Sequence, residues 1–186
     1  MRETWMDTFT GKRIDVLRVQ PDDVCIEDIA HSLALQCRFN GHTPRFYSVA
    51  EHSVRVSELC EKIGYNRETR LMALLHDAAE AYLGDIIRPV KYGLGIDAMP
   101  FDRIDAVVMH KFGCEDGGGW GVTGLDLELL LVEGRDVMGR DWSAEYGKPV
   151  TDYCITETWD WPEAECRFLE RAKSLGCIPL TEAANG

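Results

Sequence analysis

The segment Leu71-Met-Ala-Leu-Leu-His-Asp-Ala-Ala-Glu-Ala-Tyr-Leu-Gly-Asp85 sets the strictest terms for folding this chain. Alanine and leucine are strong helix formers and Gly84 is a stop signal, so the pattern predicts a helix over 68–83. Its middle nevertheless carries His76, Asp77 and Glu80. His76 and Glu80 share a face one turn apart, and Asp77 lies about 100° round from His76. An imidazole and two carboxylates among apolar residues carry a large desolvation cost unless something compensates. Two readings meet that cost. One is a solvated face or an ordinary partnered core histidine; the other is a divalent metal, which takes nitrogen and oxygen ligands together.

The preceding segment bears on the choice. Ser48-Val-Ala-Glu51 reads as a capping box, with Ser48 as N-cap and Glu51 reaching back. The helix it opens carries Val49, His52, Val56, Leu59, Cys60 and Ile63 on one face and closes at Gly64. Helices joined by so short a link pack antiparallel. His52, one turn into the first, then lies beside His76 and Asp77, late in the second.

The 186 residues suit one domain with a real core. A formal charge of −12 argues against nucleic acid or an anionic membrane as the main partner, though a pocket can be locally positive. No apolar run reaches transmembrane length, and the first residues lack a signal-peptide core. Seven cysteines, none at C-x-x-C spacing, suggest a reducing cytoplasm and give no support to a zinc finger.

Elsewhere, Thr8 to Ile14 reads as a turn between short strands. Pro21-Asp22-Asp23 is a helix-start signal, followed by Ile26, Ile29, Ala30, Leu33 and Cys37 at helical spacing, with an exit at Arg38-Phe39-Asn40-Gly41. Asp85 to Tyr92 reads as a loop whose Arg88 and Lys91 are either solvated charges or substrate-side cations. Pro100 opens a helix through Phe112, with Phe101, Ile104, Asp105, Val108 and Phe112 inward. Cys114 to Gly121 is a connector, since it lacks the strand and the Lys-Ser/Thr end of a phosphate-cradling loop. Leu125 to Met138 is helical, with Asp126, Leu129, Leu130, Glu133 and Val137 on one stripe. Spacing leaves Asp126 open between a helix-dipole partner and a metal ligand. Residues 140–158 are loop-like. Asp160-Trp161-Pro162 opens a last helix, with Phe168, Leu169, Ala172 and Leu175 inward and Gly176 at its end, and the tail after Pro179 is frayed. The fold class is all-α, with about five main helices and irregular segments at both ends.

The order His52 … His76-Asp77 … Asp126 on three helices resembles the HD-domain metal phosphohydrolases. Ser48-Val-Ala-Glu-His-Ser-Val and Leu75-His-Asp-Ala-Ala-Glu-Ala-Tyr-Leu-Gly-Asp-Ile-Ile-Arg-Pro-Val-Lys-Tyr are similar to the branch holding the 5′-deoxynucleotidases. Asp28-Ile-Ala-His-Ser-Leu, Cys37-Arg-Phe-Asn-Gly-His-Thr and the block from Leu125 to Met138 resemble phage and bacterial relatives that hydrolyse deoxynucleotides. The likeness covers roughly residues 5–140. It implies an HD-domain helical bundle over 1–186, with a core at about 22–140 and a C-terminal extension at about 141–186.

The resemblance also implies roles. His52, His76, Asp77 and Asp126 would hold one divalent transition metal ion (manganese, cobalt or zinc), with magnesium a possible companion of substrate phosphates. Glu80 would handle the proton of the attacking water, and Asp85 matches a substrate-side acidic residue. Arg38 and Phe39 match a pair contacting phosphate and sugar or base, and Lys91 falls beside the nucleotide. The loop before Asn66 is shorter than in the deoxynucleotidases, which should reshape a pocket rim. His31, expected to have no carboxylate partner, His42 and His110 are rival ligands expected to lie off the metal. The implied activity is hydrolysis at the alpha phosphate of a deoxynucleotide, as a 5′-deoxynucleotidase or a triphosphohydrolase, dATP among its substrates. The expected partner is this small nucleotide, with neither nucleic acid nor membrane, in a homo-oligomer. The alternative is a regulatory nucleotide-binding module with little turnover.

Overall fold

A 3.6-residue period runs through most of this sequence, and the structure follows it. The computed structural model describes residues 4–114 and 119–177, apart from the side chains of Gly119 and Trp120. Part of the glycine-rich connector and the tail after Pro179 therefore lie outside the described residues. The architecture is all-α with one small hairpin: β1 (Trp5–Asp7) pairs antiparallel with β2 (Arg13–Asp15), Met6 opposite Ile14. Gly11, at φ 84°, makes the expected turn between them.

The helices are α1 (Ile26–Leu35), α2 (Val49–Ile63), α3 (Arg67–Leu75), α4 (Glu80–Leu83), α5 (Arg88–Leu94), α6 (Met99–Phe112), α7 (Gly119–Asp136), α8 (Ser143–Tyr146) and α9 (Trp161–Ser174). α2 is the centre: eleven of its fifteen residues are buried, so it is packed on most sides rather than along one stripe. Val49, Ala50 and Val54 join a core with α1, α3, α6 and α9. Val56, Leu59 and Cys60 join a second core with Tyr47 and α7. α2 and α3 run antiparallel, since His52 meets His76 while Ser57 Oγ donates to the Arg70 carbonyl. Among the described residues no helix is long and apolar enough to cross a membrane.

Four local expectations are corrected. The helix predicted over 68–83 is two pieces. Between α3 and α4 the chain tightens to i→i−3 bonds, such as Glu80 N–H to the Asp77 carbonyl, because Asp105 Oδ1 takes the Ala79 N–H at 3.0 Å. Pro21-Asp22-Asp23 forms a turn, closed by Asp23 Oδ2 on the Gln20 N–H, and α1 starts only at Ile26. Cys37 consequently lies beyond α1, exposed and bridged to Ser48. The segment read as a loop over 85–92 contains α5, with Pro89 in its first turn and Gly95 as its left-handed cap. α7 begins at Gly119, six residues early, since burying Val122 and Leu125 outweighs the poor helix propensity of its glycines.

Candidate metal centre

Three helices converge on one point. Ser48 caps α2 by accepting the Glu51 N–H at 3.0 Å, which fixes the turn carrying His52. The Glu51 carboxylate does not reach back as a capping box requires. It is buried, accepting from Arg55 and from the Trp159 N–H instead. His52 Nε2 lies 3.3 Å from His76 Nε2, 3.2 Å from Asp126 Oδ1 and 3.7 Å from Asp77 Oδ2. His76 Nε2 is 3.3 Å from Asp77 Oδ2 and 3.9 Å from Asp126 Oδ1. Donor atoms of His52, His76 and Asp126 all lie within 4.8 Å of one another, a spacing that could hold a metal ion.

The imidazoles are oriented for that task. His76 Nδ1 donates to the Ala73 carbonyl at 2.8 Å, which leaves Nε2 as the nitrogen facing the centre. His52 Nδ1 donates to Glu133 Oε1 at 2.6 Å, so its Nε2 faces the same point. A carboxylate behind a ligating histidine fixes the ring and raises its basicity. Burial and Arg38 pull the His52 pKa down, but Glu133 and Asp126 lift it to about 9. Burial alone would raise Asp126; His52, His76 and Arg38 instead hold it far below the usual carboxylate range. In the metal-free protein a proton on His52 therefore supplies the positive charge that these carboxylates attract.

Cations and further carboxylates surround the point. Arg38 bridges Asp77 at 3.5 Å and Glu133 at 3.2 Å. Arg38 opens a 3-10 turn, Arg38–Gly41, in which Phe39 and Asn40 both have positive φ, 55° and 51°. Two such residues in succession store strain of a kind that clusters at functional sites. Glu80 is buried, with Oε2 unpartnered among the described residues and Oε1 3.5 Å from Lys91 Nζ. Burial, with Asp77 and Asp85, pushes its pKa up to about 9. Asp85 is raised too, chiefly by burial, and its N–H is held by Gln36 Oε1. Arg88 Nη2 is 3.1 Å from Asp126 Oδ2, on the side away from His52.

The HD domain family matches residues 49–109, which include both imidazoles. The chain is 38% identical over 175 residues to YfdR, an uncharacterised protein of Escherichia coli, covering 92% of this chain and 96% of that one. It is 46% identical over 118 residues to an uncharacterised protein of Rhodobacter capsulatus, covering 61% and 60%. It is 31% identical over 78 residues to the 5′-deoxynucleotidase of Erwinia tasmaniensis, covering 36% and 39%. This chain belongs to the HD-domain phosphohydrolase superfamily.

Its HD pair is His76-Asp77, and the structure brings His52 and Asp126 to that pair. Arg38, Glu80, Asp85, Arg88 and Lys91 all lie around it, while Phe39 packs outward on Trp142, their ring centroids 5.9 Å apart. The rivals sit elsewhere. His42 and His110 are exposed. His31 does have a carboxylate partner, contrary to expectation: Glu165 from α9, at 3.2 Å, a pairing invisible in local sequence. It also stacks on Phe9 at 3.8 Å.

Sequence reasoning missed four residues of the HD centre. Glu133 supports His52, and Tyr47 donates to the same carboxylate at 2.8 Å. Gln36 ties α1 to Asp85 and to the Glu80 carbonyl. Asp105 breaks the HD helix. Glu133 left a legible sign, since a glutamate on a leucine stripe two turns after Asp126 needs a buried partner.

Proposed function

We propose that this HD protein is a metal-dependent phosphohydrolase that cleaves deoxynucleotides at the alpha phosphate. The carrying observation is the pair of imidazoles, each with Nδ1 engaged so that Nε2 meets the carboxylates of Asp77 and Asp126. Two neutral imidazoles and two carboxylates balance a 2+ ion and suit manganese, cobalt or zinc. Such an ion, when bound, polarises a phosphoryl oxygen and lowers the pKa of a bound water.

The chain supplies the rest. Glu80 lies within the cavity lining beside His76, with its pKa pushed up by burial and one oxygen unpartnered among the described residues. It orients the attacking water and exchanges protons with it. Arg38, Arg88 and Lys91 offset charge on the phosphate oxygens. Asp85 stands on the substrate side, and Phe39, packed on Trp142, acts through its neighbour Arg38, whose guanidinium lies 5.3 Å from its ring centroid. The deoxynucleotidase named among the relatives favours a deoxyribose over other phosphate esters.

Chelated protein is to be given back manganese, cobalt or zinc and assayed on dAMP and dATP. Phosphate release from dAMP identifies a 5′-nucleotidase; triphosphate release from dATP identifies a triphosphohydrolase. No turnover with any metal, or equal turnover by wild type and Asp77→Ala, refutes the reading.

A further inference from the structure

The centre opens into a cavity of about 270 Å³ that starts at His76 and Asp77 and runs between α5 and α6. Ile96, Ala98 and Phe101 give it an apolar wall, and Lys91 Nζ lies 4.3 Å from the Phe101 ring centroid. Asp102 and Asp105 also line it, and neither forms an ion pair among the described residues. Asp105 Oδ1 accepts the Ala79 N–H, the one hydrogen bond that side chain makes among the described residues. Glu80, in the same lining, has a buried oxygen without a partner among the described residues. The cavity thus joins an apolar wall to three carboxyl groups, of which Glu80 is buried, Asp105 half-buried and Asp102 exposed.

We propose that this cavity is the nucleobase subsite and that Asp105, with Asp102 behind it, selects bases carrying an exocyclic amino group. This rests on the deoxynucleotide reading above. An amino N–H gives a carboxylate the donor it lacks, as when Asp or Glu reads cytosine N4. A keto oxygen facing the ionised carboxylate sets two acceptors against each other in a partly desolvated site. Sites built on hydrogen bonds reject mismatched analogues far more strongly than apolar pockets do. The position of Asp105 ties base selection to the metal centre. The carboxylate that faces the cavity also holds the Ala79 N–H, two residues after Asp77.

Two near-isosteric substrate pairs test this: dCMP against dUMP, and deoxyadenosine against deoxyinosine monophosphate, each with manganese. Wild type is expected to favour the amino member by about tenfold or more in kcat/KM. In Asp105→Asn the amide oxygen keeps the Ala79 N–H and the amide nitrogen turns the free acceptor into a donor. That variant is expected to lose or invert the preference, and Asp102→Asn to weaken it. Ratios near one in wild type, or an unchanged ratio in Asp105→Asn, overturn the proposal. If no deoxynucleotide is hydrolysed, the proposed function fails on its own. The subsite is then read by equilibrium binding of deoxycytidine against deoxyuridine, where equal affinity overturns it and tighter deoxycytidine binding supports it.

Discussion

Glu133 is fully buried and reaches the metal centre only through the groups it holds, yet it accepts from His52 Nδ1–H, from the Tyr47 hydroxyl and from one arm of Arg38. Burial would raise its pKa, but Arg38 and His52 keep it below its ordinary value, so it is a fixed anion behind the ligand. Glu133→Gln keeps an acceptor and loses the charge; metal affinity is expected to fall about 10–100-fold, read by titration calorimetry. Glu80→Gln should instead leave metal content unchanged and lower kcat by about 10²–10⁴. Asp105 gives a pH prediction for the metal-free protein. Burial, with Asp77 and Asp102, raises it from 3.8 to about 7 against the pull of the Ala79 N–H. The folded protein binds this proton more tightly than the unfolded chain, so the associated stability is full below about pH 4 and lost as pH rises through 7. The shift sets a ceiling of about 4 kcal/mol, which partial solvation reduces. Asp105→Asn should therefore stabilise by about 1–3 kcal/mol at pH 8, in urea unfolding, with the gain shrinking steadily toward pH 4. A gain independent of pH would show that ionisation of Asp105 is not its source.

Secondary elements deliver these residues with unequal legibility. At several helix ends, where the signal is local, sequence and structure agree. Asp160 caps α9 by accepting the Glu163 N–H, Pro100 sits in the first turn of α6, and Gly64 ends α2 in the left-handed conformation. His52 and His76 meet because a short link and the helical period fix their faces, whereas spacing leaves Asp126 open and only the packing of α7 on α2 and α3 brings it to them. Two of the misreadings depend on partners far along the chain. The break at the HD pair needs Asp105, twenty-six residues on, to capture the Ala79 N–H. Likewise the side chain of Glu51 is drawn from its cap to Trp159, a residue of the C-terminal region. The segment around Trp142 shows the same dependence. Its ring lies on Gly134 of α7, where a Cβ would overlap it, and touches Phe39 on the other side. Gly134→Ala must displace that ring. A loss of about 1–3 kcal/mol is expected in urea unfolding. Because Phe39 leans on the ring and precedes a strained Asn40, KM for the nucleotide should rise more than kcat falls. A kcat loss with unchanged KM would detach Trp142 from substrate binding.

At the scale of the molecule, the metal centre hangs on α2, and α2 is held from both sides. α7 supplies one side together with Asp126 and Glu133. α9 supplies the other, though it brings no residue to the centre. Its Ala164, Phe168 and Ala172 are buried in the core shared with α1 and α3. Arg171 donates to Ser57 Oγ and to the Ser57 carbonyl, both at 2.9 Å. Trp159, just ahead of α9, lies between Arg55 at 4.5 Å and Arg167 at 4.2 Å. Contacts of this kind stabilise the scaffold without shaping the ligands, so stability and metal affinity should separate. Phe168→Ala opens a cavity in a fully buried position and should cost about 3–5 kcal/mol. A ligand that binds only the native state adds stability fixed by its concentration and affinity. Saturating manganese should therefore stabilise Phe168→Ala against urea by the same increment as wild type, from a lower baseline. Asp126→Ala should differ in kind: its baseline falls because it loses the pairing with His52 and Arg88, and the manganese increment is lost as well. A smaller increment in Phe168→Ala would mean that α9 sets ligand geometry through α2 as well as holding it in place.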